Sequence, residues 1–229
     1  MNDRLRASLA IAALVLVAGS PIRAQASAGR GAFPEAGPRL IAEAFLSGYD
    51  RQETKGGTEF LVKNFGRTSY RRLLDHWVKG LAAGAASVAP PPLDPAYDGL
   101  IAAVRRDAPE LESVFIGSAT RLVELALANF ELYLEAAARS GALGSGSLDQ
   151  RKLEAELSQG GYAARFDSFI AEERAVKARL RSILDDPRLK PKLGFYRFVY
   201  DRVNDIRERS IARQEALRAA RVEVARGDS

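Results

Sequence analysis

Residues 109–139 read PELESVFIGSATRLVELALANFELYLEAAAR. Set on a helix at about 100° per residue, Arg121, Glu124, Glu131, Glu135 and Arg139 fall on one narrow stripe. Nearly everything else is apolar, with Phe115, Leu122, Leu125, Leu127, Phe130 and Leu132 spread around the rest of the circumference. A helix of that kind is wrapped by other helices and leaves a single strip in water. The charged strip also interrupts the roughly 20 apolar residues that a membrane span requires. The spacing therefore predicts a central core helix over about 109–139, inside an all-α multi-helix bundle.

The flanking segments extend that pattern. Upstream, Asp94-Pro95 opens a short helix that turns Tyr97, Leu100, Ile101 and Val104 inward, and Asp107-Ala108-Pro109 resets the chain into the central helix. The proline stretch at 90–95 reads as a stiff connector. Before it, Tyr70, Leu73, Leu74, Trp77, Val78 and Leu81 repeat at helical spacing, with Thr68 or Ser69 as the expected cap. Phe60, Leu61, Val62 and Phe65 are too compact to assign by period, and the lack of a partner strand elsewhere favours helix. Pro38 suits the first turn of another helix, through Ile41 and Phe45, that Gly48 can stop.

Downstream, residues 140–147 form a turn, and a short charged helix spans 148–157. A long helix follows from Tyr162 to Leu184, ended by Asp185-Asp186-Pro187, with Glu172-Glu173 read as a solvated face. The last helix starts near Pro191 and presents Leu193, Tyr196, Val199, Tyr200, Val203 and Ile206 to the core. Large apolar residues thin out beyond it, so 207–229 is expected to protrude as a basic helix or tail. No alternating strand pattern and no fixed repeat interrupts this all-helical reading.

The first residues carry an address. Arg4 and Arg6 precede an apolar run from Ala7 to Gly19, then Ser20-Pro21, then a small-x-small pattern ending at Ala24 or Ala26. This is the layout of a secretory signal peptide over 1–26, with export to the periplasm as the expected destination. Residues 27–37 read as a flexible lead-in, 38–206 as one helical domain, and 207–229 as the charged appendage. Without residues 1–26, the formal charge of +5 drops to about +3, a weak argument for a nucleic-acid partner. Between Asp186 and Ser229 there are 11 basic and 7 acidic residues, while 107–139 holds six acids and two bases. The expected consequence is pairing of the last helix with the acidic central segment.

The chain has no cysteine, which excludes disulfides, thiolate catalysis and cysteine metal sites. Its one histidine, His76, cannot build a His-rich metal site, and no metal or cofactor is expected. Gly56-Gly57 and Gly160-Gly161 lack the Lys-Ser/Thr of a phosphate loop. Arg71 and His76 resemble the Arg-x4-His spacing of HEPN-type ribonucleases, but His76 sits off the Tyr70/Trp77 face. Glu112-Ser113-x-Phe115 resembles the Glu-Ser start of the lytic transglycosylase motif. That resemblance implies Glu112 as a general acid acting on peptidoglycan, in an apolar cleft that raises its pKa. The match covers four residues, and IGSATRLVEL then runs on as helix. The competing reading is a first-turn acid stabilised by the helix N-terminus.

Binding candidates stand out more clearly. Asn129 falls on the apolar side of the central helix, where its amide needs partners, and Tyr133 is one turn away. Tyr70 and Trp77 supply aromatic surface. Arg207, Arg213, Arg218 and Arg221 could dock a partner protein, or more weakly a membrane surface, although Glu208, Glu215 and Glu223 dilute that attraction. The expected function is binding, with a protein partner, an envelope component or a small apolar ligand as target. A peptidoglycan-cleaving activity at Glu112 is the alternative.

Overall fold

The structure is a computed structural model that describes residues 36–227 apart from Ser145, with the side chains of the last helix described to Ala216. The signal segment 1–26 and nearly all of the 27–37 lead-in lie outside the described residues. Among the described residues seven helices follow in chain order: α1 (Gly37–Asp50), α2 (Gly56–Ala82), α3 (Asp98–Asp107), α4 (Glu112–Arg139), α5 (Gln150–Leu157), α6 (Gly160–Leu184) and α7 (Lys190–Gly227). Single 3-10 turns at Pro95–Tyr97 and Pro109–Leu111 precede α3 and α4. Among the described residues there is no strand, only an isolated bridge between Leu143 and Leu148. The fold is an all-α multi-helix bundle.

Helix α4 packs against α1, α3, α5 and α6. Phe115, Leu122, Leu125, Phe130, Leu132 and Leu134 are among its buried residues. Phe130 is fully buried and meets Phe45 of α1 edge-on at 4.8 Å and Trp77 of α2 at 5.5 Å between ring centroids. The polar seam of α4 is laced to its neighbour: Arg121 bonds Glu124 at 2.6 Å and Glu172 of α6 at 2.7 Å, and Arg165 of α6 reaches Glu135 at 3.2 Å.

Helix α2 departs from expectation. It runs unbroken from Gly56 to Ala82, so neither Thr68 nor Ser69 caps a helix. Its inward stripe is Glu59, Val62, Lys63, Gly66, Tyr70, Leu73, Leu74 and Trp77, spaced by three and four residues throughout. Phe60 and Leu61, apolar as they are, are 54% and 56% exposed. The stripe is helical throughout, but in its first turns Val62 is the one large apolar residue among Glu59, Lys63 and Gly66. Lys63 folds back to donate to the carbonyls of Asp50 at 2.6 Å and Gln52 at 2.7 Å, satisfying acceptors left open where α1 ends. Helix α1 itself continues past Gly48 to Asp50.

The proline-rich connector is pinned rather than free. His76 contacts the Ala89 carbonyl at 2.9 Å, and buried Val88 presses on α2 where Gly80 leaves room. A Cβ at residue 80 would stand 2.7 Å from a Val88 methyl group. At the other end of the chain, packing of α7 does not stop at Ile206. Ile211 is fully buried, and Arg207, Arg209 and Arg213 turn onto the bundle. The expected pairing with the acidic segment 107–139 is met at its start, ahead of α4. Lys192 pairs with Asp107 at 2.7 Å and Arg188 with Glu110 at 2.5 Å, before that helix begins, while the α7 arginines pair with Glu173, Glu59 and Glu53.

Candidate ligand-binding cavity

A cavity of about 760 Å³ opens among α1, α4, α5, α6 and α7, with Tyr70 of α2 at its edge. One wall is aromatic and aliphatic. Phe45 meets Tyr133 edge-on at 4.7 Å, Tyr133 meets Phe166 at 5.5 Å, and Phe166 meets Phe169 at 5.9 Å between ring centroids. Leu153 and Leu157 of α5 continue that surface. Such edge-to-face chains fix ring orientation and give a rigid apolar face. A polar stretch of the lining comes mostly from α7, where Arg207, Ser210 and Gln214 recur at helical spacing. Arg51 and Gln52, at the end of α1, complete it.

Arg207 is held by Glu173, a residue with no solvent exposure. Two parallel bonds, 3.1 Å from Nε and 3.0 Å from a terminal nitrogen, make a fork on the carboxylate. Lys177, one turn along α6 and also buried, bonds the same carboxylate. Burial alone would raise the Glu173 pKa; Arg207 and then Lys177 outweigh it and hold the group below the usual carboxylate value. Burial lowers Lys177, and Glu173 only partly offsets that. The solvated reading of Glu172-Glu173 is thus half corrected. Glu172 is a partly exposed partner of Arg121, whereas Glu173 lies on the inward stripe of α6 with Ile170, Val176 and Leu180. A second clamp sits beside it, where Arg209 reaches buried Glu59 of α2 at 2.5 Å.

The candidate residues Tyr70, Asn129 and Tyr133 are brought together on this cavity. Tyr70 is nearly buried, which pushes its hydroxyl pKa well up, and it lies within the fields of Arg207 and Tyr133. The Asn129 amide oxygen is shielded from solvent and makes no hydrogen bond within the described protein. Trp77 is not part of the cavity; it is fully buried against Phe130. Arg207 and Arg213, assigned to a partner protein from the sequence, face Glu173 and Glu53 instead. The side chains of Arg218 and Arg221 lie outside the described ones. Sequence reasoning missed the arginine wall, and the one available signal was Glu173 and Lys177 at positions otherwise reserved for apolar residues.

Glu112 lies elsewhere. Arg105 forks onto its carboxylate, with contacts of 2.5 and 3.0 Å to one oxygen, and holds its pKa below the ordinary glutamate value. A general acid needs the opposite shift. His76 is occupied by the connector, and Arg71 is exposed. Among the described residues no group of three or more His, Cys, Asp or Glu could hold a metal ion, and no helix is long and apolar enough to cross a membrane. The chain matches no protein-family model, no curated protein and no solved structure.

Proposed function

We propose that this chain is an exported, periplasmic binding protein that holds a small, largely apolar ligand between its helices. The observation carrying the reading is the cavity of about 760 Å³ with one aromatic wall and one polar wall, in the size range of about 300–1,000 Å³ typical of small-molecule sites. The basic, apolar and small-residue layout of residues 1–26 supports the location. The unpartnered amide oxygen of Asn129 supports a guest with a hydrogen-bond donor to offer. Catalysis at Glu112 has the Arg105 fork against it.

The test uses the uncharged fluorophore phenylnaphthylamine, titrated onto the chain lacking residues 1–26. Saturable, one-to-one enhancement of emission is expected. Gly48 provides the matching variant, since it lines the cavity and a Cβ built there meets nothing within 4 Å. Gly48→Phe should fill the space and abolish the enhancement while leaving the melting temperature equal or higher, because glycine in a helix interior is unfavourable. Enhancement that does not saturate, or that survives Gly48→Phe, overturns the cavity reading. The location is checked by fusing residues 1–26 to a phosphatase that is active only outside the cytoplasm; an inactive fusion overturns the export reading.

A further inference from the structure

We infer that the ligand of this cavity is an amphipathic monoanion, its apolar tail on the α5–α6 wall and its one acidic head on the arginine-bearing α7 wall. This rests on the cavity reading above and adds the ligand's charge and orientation. The source of the lining sets the direction: Leu153 and Leu157 come from α5 and Phe166 from α6, whereas Arg207, Arg209 and Arg213 all come from α7.

The charges themselves do not balance. Four arginines, Arg51, Arg207, Arg209 and Arg213, line the cavity against two glutamates, Glu53 and Glu154. Arg213 uses Glu53 at 2.8 Å, and Arg209 uses Glu59 behind the wall. Arg51 donates to the Ser47 carbonyl of its own helix at 3.2 Å and makes no ion pair among the described residues. Deeper in, the single carboxylate of Glu173 serves two cations, Lys177 and Arg207. Arg51 thus lines the space without a carboxylate partner among the described residues, and the excess of arginines over glutamates around it favours one further anion there. The Arg209 Nε–H is shielded from solvent and makes no hydrogen bond within the described protein, which leaves a donor on the same wall. Guanidinium groups match the planar, two-oxygen geometry of a carboxylate.

Competition against bound phenylnaphthylamine tests this with three single-chain amphiphiles of equal length: dodecanoate, dodecanol and dodecyltrimethylammonium. Dodecanoate should displace the probe at a concentration about tenfold or more below that of dodecanol, as a charge-assisted bond to the head provides, and the ammonium should be weakest. Arg209→Lys keeps a charge for Glu59 but removes the open Nε–H donor, and should shrink the acid-over-alcohol preference several-fold. Arg51→Gln is a surface change that spares the buried set, and it should shrink the preference as well. Equal or tighter displacement by dodecanol overturns the anion inference while leaving the cavity reading standing. A preference unchanged in both variants overturns the placement of the head. Failure of the probe itself to bind removes both.

Discussion

Glu173 is the residue on which the charged part of the core turns. It has no exposure, accepts two bonds from Arg207, and is the charged partner of buried Lys177. Removing one member of such a set is far worse than removing all of it, because what hurts is the charge left without a partner. Glu173→Ala should therefore lower unfolding stability by about 3–5 kcal/mol in urea titration. The triple change Glu173→Leu, Lys177→Met and Arg207→Met should leave the fold near parental stability or above it. A triple variant as weak as the single one would mean that shape, rather than charge, is what Glu173 supplies. Phe130 is its apolar counterpart, fully buried and in ring contact with Phe45, Tyr70 and Trp77. Phe130→Ala should cost about 3–5 kcal/mol on the same measurement, the loss typical of emptying an aromatic core site.

At the level of elements, the decisive case is α2. Thr68 is exposed and sits mid-helix, so Thr68→Pro disturbs backbone rather than packing. One continuous helix predicts a loss of about 3 kcal/mol or more in chemical denaturation, from a missing hydrogen bond and a ring clash. Two helices meeting at a Thr68 cap would absorb the same proline with little loss, as first-turn positions do. The contrast also shows what was readable beforehand. The long apolar runs of α4, α6 and α7 announced themselves through period alone, because Leu, Phe and Val occupied nearly every inward position. The start of α2 did not, because Glu59, Lys63 and Gly66 stand where apolar residues would have signalled a helix face. The cavity divides along the same line. Tyr70, Asn129 and Tyr133 were visible as polar atoms on apolar faces. The arginine wall was not, since an arginine in a sequence points to water by default. Its buried acid, Glu173, lies 34 residues from Arg207, a separation that no local pattern can bridge.

Across the whole molecule, ion pairs tie elements distant in sequence, and their titration sets the acid limit of the fold. Asp107, at the end of α3, is held at about 2 against an ordinary value of 3.8, first by its bond from Arg106 and then by Lys192 of α7. Asp186 is likewise held at about 2 by the side chain and backbone N–H of Arg188, whose guanidinium also reaches Glu110. Glu110, Glu112 and Glu173 are lowered too, each by an arginine partner. In every case the native state binds fewer protons than the unfolded chain between the two pKa values. The stability they give is therefore complete above the ordinary carboxylate range and drains away as pH falls through the native values. The buried tyrosines add the opposite limit: burial raises Tyr49, Tyr70 and Tyr97, so the unfolded chain loses their protons first and stability falls above about pH 10. The urea midpoint should accordingly be highest near neutrality and decline steeply between about pH 4 and pH 2. Asp107→Asn should make that acid decline shallower while lowering the midpoint at neutral pH, since the variant has lost a group that only helps when ionised. A midpoint that stays level down to pH 2, or an Asp107→Asn protein with the parental slope, would show that these pairs are too well solvated to carry the linkage.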